Sequence, residues 1–329
     1  MRTPAFFVGH SFSRLPKTAL AALAVLGLVS LLYLDQTFAS AGLWLFLGLT
    51  LTAGFFHGAL DIVLIQREFA GPRQRAVALI LYVSAAIFLA ILCAYSGWLM
   101  VLVLLVMSIW HFGEPYGRWA PTEWSQGAWV HRVIAGGAPV LLPALLSGQA
   151  LQAILPIAVG LDAAWAWAIW QTLAWLWVGL CALGLAVMRQ RLFSKPLWTE
   201  VAVIFALNLV LSPLMAFSIY FGVMHSTIHI ARIAASYRRD AAVDEPNENQ
   251  PATVPRTRAA ILITSIATLA LLLALAWYLQ NAHLAIAGRG YLLNLLLVAL
   301  TAVTLPHLVV VSRSAHWLTK QPPVKPFEN

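Results

Sequence analysis

The sequence predicts an all-α protein, a polytopic transmembrane helical bundle of about ten membrane helices with both termini on the cytoplasmic side. Three observations carry this. The 329 residues are 61% hydrophobic and only 10% charged, and their mean hydropathy is +0.82, well outside the range of soluble globular chains. The apolar residues fall in blocks near the roughly 20 residues that cross about 30 Å of hydrocarbon as a helix. The positive charges, threaded through ten crossings, collect on one side.

In chain order the expected spans are 18–34, 43–65, 76–96, 98–112, 129–147, 164–188, 197–211, 214–231, 259–280 and 291–311. The first follows Lys17 and precedes Ala39-Ser40-Ala41, a pairing that also fits a cleaved signal peptide, but its apolar run is long for one and a retained span is the preferred reading. The fourth and seventh are short, so tilt or partial burial is expected of them. The seventh and eighth are joined by little more than Ser212 and Pro213. Residues 238–258, RRDAAVDEPNENQPATVPRTR, are polar, contain proline and have no periodicity, which marks a flexible cytoplasmic loop. No stretch is long enough for a soluble domain, so residues 1–329 read as a single integral membrane domain.

Orientation follows from the rule that positive residues in short loops stay in the cytoplasm. With the N-terminus inside, every lysine and arginine of the 20 except Arg289 falls on the cytoplasmic side. A miscounted helix would scatter them. The expected location is therefore the cell (inner or cytoplasmic) membrane, crossed many times. The same distribution argues against nucleic acid as the partner of this net +8 chain, because the basic residues form neither a stripe nor an aromatic-interleaved patch. Cys93 and Cys181 are the only cysteines and both lie in apolar runs, so neither a disulfide framework nor a thiolate metal site is expected.

Chemistry is expected from the histidines. Of nine, His10, His131, His283 and His316 fall in or beside polar joints, where a solvated or interfacial role is the default. The other five, His57, His111, His225, His229 and His307, lie within spans that all run from outside to inside. His57 precedes Arg67, His111 precedes Arg118, His225 precedes Arg232 and His307 precedes Arg313 by six to ten residues. At 1.5 Å per residue these offsets set the imidazoles at one level, roughly 5 to 15 Å inside the cytoplasmic boundary. His225 and His229, at i and i+4, share a helix face. Intramembrane ionisable residues are functional candidates by default, and clustered imidazoles point to a metal. An all-imidazole site suits iron, zinc, copper or nickel; iron is preferred because four histidines would leave it two open positions, whereas a closed zinc site would be inert.

Asp61, one turn after His57, is the acid lying well within a span, and a hydrogen bond from it to a ligating imidazole is the economical use of so costly a group. Glu114, three residues after His111, is a second such candidate, although it falls near the membrane boundary. Pro306 is placed to kink its helix and aim His307. Trp110, Phe112, Phe217, Tyr220 and Phe221 lie within two turns of the histidines and are candidates to line an apolar tunnel. A histidine-lined metal or proton transporter would show polar residues at several depths, and a di-iron desaturase would show several HxxxH or HxxHH boxes rather than one. Purely structural polar contacts between helices are the remaining reading.

HGALD at 57–61, WHFGE at 110–114, HSTIH at 225–229 and Pro306-His307 together resemble the Brp/Blh family of membrane-bound β-carotene 15,15'-dioxygenases, in order and spacing over most of the chain. The resemblance implies Fe(2+) held by His57, His111, His225 and His229, with His307 as a conditional further member of the site. It implies oxidative cleavage of β-carotene, taken from the lipid membrane, with dioxygen at the central 15,15' double bond, giving two retinal. Where the family commonly carries an aspartate after its HFGE-type motif, this chain has Pro115 and Tyr116. A related polyene, carotenoid or lipid oxygenase is the nearest alternative.

Overall fold

A computed structural model describes residues 41–114, 128–188, 195–233 and 289–314. The chain is helical there, without strands. The first and ninth expected spans, the loop at 238–258, Pro115, Tyr116, His10, His283, His316 and both termini lie outside the described residues.

Nine helices are named here in chain order among the described residues: α1 Ala41–Glu68, α2 Pro72–Tyr95, α3 Gly97–Phe112, α4 Ala128–Leu146, α5 Gly148–Val159, α6 Ala163–Met188, α7 Lys195–Val210, α8 Pro213–Ile233 and α9 Arg289–Arg313. Eight of these coincide with expected spans. By length and composition α1, α2, α4, α8, α9 and the run containing α6 are apolar and long enough to cross a membrane, while α3 and α7 are shorter apolar helices. Pro213 opens α8 behind Ser212, where a missing N–H costs nothing. Helix α9 runs through Pro306 without a break.

The twelve residues of α5 were expected to be part of a joint. They are too few to span a bilayer, but Leu151, Leu155 and Ala158 are buried, the i, i+4, i+7 pattern of a helix with one packed face. The turn after it places Asp162 at the start of α3, where its carboxylate accepts the backbone N–H groups of Gly97 at 2.7 Å and Trp98 at 3.3 Å. The Asn294 amide on α9 donates to the Ala158 carbonyl at 2.5 Å. One short segment thus ties the beginnings of α3 and α9 together.

Helix α4 is the inner element. In its apolar window 72% is buried, against 17% in α2, whose Ile80, Leu81 and Phe88 stand exposed as a hydrocarbon-facing surface requires. Small residues bring α3 and α4 together: a Cβ on Gly113 would run into the Arg132 carbonyl, and one on Gly136 into the Ile109 carbonyl. Such close backbone approach is how helices associate where no hydrophobic difference separates them from their solvent.

Two helices are wound irregularly. In α1 a π-helical stretch, Thr50–Gly54, precedes His57, and in α8 another, Ile219–Ser226, contains His225. The two lie against each other: a Cβ on Gly54 would come within 2.7 Å of the Phe221 ring, and one on Gly222 within 2.8 Å of Leu49. Such bulges add a residue to a turn and re-aim the side chains beyond it. The first ends three residues before His57, and the second carries His225 itself and leads into His229.

Candidate metal centre

His57 on α1, His111 on α3, His225 and His229 on α8 and His307 on α9 are all buried and meet in one cluster. His57 is its hub, with ring centroids 4.2 Å from His229, 4.6 Å from His307, 5.0 Å from His225 and 5.6 Å from His111. Nε2 of His57 lies 2.9 Å from Nε2 of His307, and Nε2 of His225 lies 3.0 Å from Nε2 of His111.

The donor atoms form two groups tight enough to hold an ion, His57 with His229 and His307, and His57 with His111 and His225. The HxxxH pair is therefore divided between the groups, its rings 6.4 Å apart. His307, expected at the margin, stands inside the first group.

Asp61 is buried, yet its carboxylate meets His307 rather than His57. Nδ1 of His307 donates to it at 2.7 and 2.9 Å, and the Tyr82 hydroxyl on α2 donates to Oδ2 at 2.7 Å. These contacts offset the cost of a carboxylate away from water. They also fix a tautomer, since a proton held on Nδ1 leaves the Nε2 lone pair of His307 directed at the cluster.

The fit to a metal can be tested on the ring nitrogens. Nε2 of His229 is buried with no hydrogen-bond partner among the described residues, an expensive arrangement for an imidazole that serves only as glue. The closest Nε2 pairs are separated by about the 3.0 Å of two neighbouring nitrogens on one ion with bonds near 2.1 Å. Neutral nitrogen donors, converging and oriented by a carboxylate, suit a divalent cation such as iron.

Two small cavities flank the cluster. One, of about 60 Å³, is walled by His57, His111 and His307 together with Gly54, Gly58, Ser108, Phe112, Phe221, Leu300, Val303 and Thr304, with no carboxylate, lysine or arginine among them. The other, of about 50 Å³, is walled by His111, His225, His229, Tyr220 and Met224, and by the ionisable Glu114, Glu200 and Arg232. There Tyr220 hydrogen-bonds the Glu200 carboxylate, on which the Arg232 charge acts. A larger apolar groove, about 420 Å³, opens between α1, α2 and α9 and passes behind the cluster along Tyr82 and Pro306.

Some expectations need correction. Glu114, a candidate partner of His111, is buried and lies with it on the wall of the charged cavity; the others depart further from expectation. His131 is also buried, because α4 is the inner helix, but it belongs to neither donor group. Of the five aromatic candidates, Phe112, Phe217, Tyr220 and Phe221 pack together beside His225, with Phe112 4.7 Å from its ring. Trp110 points away, 40% exposed, beneath the Arg132 guanidinium at 4.3 Å. Sequence reasoning missed Tyr82 and Glu200, each a polar group within an apolar run of its helix.

Fold and site together define a class, an all-helical protein with membrane-length apolar helices around a buried five-histidine centre able to bind a metal. The family described as beta-carotene 15,15'-dioxygenase matches residues 48–314, which contain all five histidines, and the chain belongs to that family. Comparison with curated proteins and with solved structures gives no match.

Proposed function

We propose that this protein is an iron-dependent dioxygenase of the cytoplasmic membrane that cleaves β-carotene at its central 15,15' double bond. The observation that carries the reading is the convergence of five buried histidines from four helices in a chain of the β-carotene dioxygenase family. Fe(2+) would be held by His57, His111, His225 and His229, and the direction of the His307 Nε2 lone pair supports a place for His307 in the same set. Ferrous iron bound there would supply the dioxygen chemistry that no side chain provides.

The chain's own residues do the rest. Asp61 and Tyr82 hold His307 in one tautomer, so that its donor atom stays aimed when the site is loaded. The apolar cavity receives the central segment of the polyene, and its lack of ionised groups limits stray oxidation. The balance needs no further reagent: one C=C bond is broken, both atoms of dioxygen end in two C=O bonds, and β-carotene becomes two retinal without an external reductant or proton. A rigid hydrocarbon rod of membrane length dissolves in the bilayer and scarcely in water, so lateral access between helices is its natural path.

Expression in cells that make β-carotene tests this. Pigment should fade as retinal accumulates. Persistent β-carotene beside folded, iron-loaded protein would overturn the substrate, and unchanged iron content in a His225→Ala, His229→Ala double variant would overturn the site.

A further inference from the structure

Gly58 follows His57 on α1 and lines the apolar cavity against three of the five histidines. The glycines around it have reasons in packing. Gly54 lies against Phe221, Gly222 against Leu49, and Gly113 and Gly136 against backbone carbonyls. A Cβ on Gly58 would meet nothing within 4 Å among the described residues. Backbone conformation does not require glycine there either, since the positive-φ glycine of the described residues is Gly160. A helical glycine costs stability relative to alanine, and here neither packing nor conformation compensates. What the missing side chain preserves is space beside His57.

A second observation places this space against the metal centre. His57, His111 and His307, three of the five clustered histidines, wall the same cavity. Thr304, also on the wall, turns its hydroxyl back onto the Leu300 carbonyl at 2.6 Å, which leaves its methyl as the group it can offer the cavity. Apart from Ser108, the lining is therefore hydrocarbon and imidazole, and it suits a slender apolar chain.

We propose that Gly58 is the size-determining residue of the polyene site: its hydrogen side chain admits the extended centre of the chain to the histidines, and a larger residue at 58 closes the cavity while leaving the metal ligands in place. The inference rests on the polyene reading above, so the test reads binding separately from turnover. The full-length protein in detergent, with its 14 tryptophans as donors, is titrated with β-carotene and quenching of their emission is followed. Iron content and thermal midpoint are measured on the same samples.

Gly58→Ala should keep the wild-type iron content and a midpoint equal to or above wild type, and Gly58→Leu should keep its iron while the apparent Kd for β-carotene rises about tenfold or more, as overfilling a closed site does. Undiminished binding in an iron-loaded Gly58→Leu variant would overturn the proposal, as would loss of iron in Gly58→Ala, which would make position 58 a support of the metal site. Binding by wild type that Gly58→Leu abolishes, without retinal in either, would sustain the size gate and overturn the cleavage. Wild-type protein that does not bind β-carotene would overturn the gate.

Discussion

The two small cavities beside the histidines are close in volume and opposite in character. Both are walled by His111 and Phe112. On one side Gly54, Gly58, Phe221, Leu300 and Val303 make a hydrocarbon wall; on the other Glu114, Glu200 and Arg232 bring charge against His225 and His229. A polar cavity of such a size suits water, because its walls return the hydrogen bonds that water would lose, whereas an apolar one suits hydrocarbon. A single cluster of imidazoles thus faces an apolar wall on one side and a charged wall on the other. Under the proposed function that division would separate the route of an oil-soluble substrate from that of a water-derived cation, and it is built from no more than the choice of residues on two walls.

The largest effect should come from removing what the two donor groups share. His57 is common to both donor groups, so His57→Ala should abolish stoichiometric iron binding, measured by metal analysis of purified protein. Retention of iron would show the two groups to be independent and break the comparison at its centre. Next is Asp61→Asn, which takes the charge from the group that orients His307. Iron affinity should fall by about 10- to 100-fold, as for other residues that orient metal ligands, while β-carotene quenching in the iron-free protein stays at the wild-type level. An equal loss of both would mean that Asp61 shapes the apolar wall as well.

A third effect is smaller and mechanical. The shared wall rides on α3, and α3 is held by its approach to α4. Gly136→Ala places a methyl where the Ile109 carbonyl lies, so the helices must part, and stability should drop by about 1–3 kcal/mol, read as a lower midpoint in detergent. Iron and polyene binding should weaken together, since both cavities lose the same wall. Weakening of one alone would show the wall to be held by other contacts.

Much of this was legible before any coordinates. Apolar block length gave eight helices that the described residues contain, and the similar offsets of His57, His111, His225 and His307 from the arginines that follow them set their four helices at one level, where their rings meet. Helix α5 was passed over although Leu151, Leu155 and Ala158 carried its period, because a search for spans discards twelve-residue runs. The partner of Asp61 was not legible, since i+4 spacing places it near His57 on the same helix, and only tertiary packing brings His307, 246 residues away, to its carboxylate. Nor was the division of the HxxxH pair, which depends on the π-helical winding through His225 where regular α-helical spacing was assumed. His131 was misjudged, because closeness to a polar joint says little about burial when α4 packs against α3, α6 and α7.

The smallest effect tests the charged side. Glu200→Gln keeps a carbonyl to accept the Tyr220 hydroxyl but removes the charge that faces Arg232. Both partners are only partly buried, so stability should change by no more than about 1 kcal/mol. Polyene quenching should match wild type, because no wall of the apolar cavity is touched, and iron affinity should move by no more than about threefold, because Glu200 belongs to neither donor group. What should change is the salt dependence of iron uptake, followed by stopped-flow loading of the iron-free protein: if the charged cavity faces the aqueous phase, removing a carboxylate flattens that dependence. Stronger β-carotene binding in Glu200→Gln would show instead that hydrocarbon reaches the histidines through the charged wall, and the two cavities would then be one path.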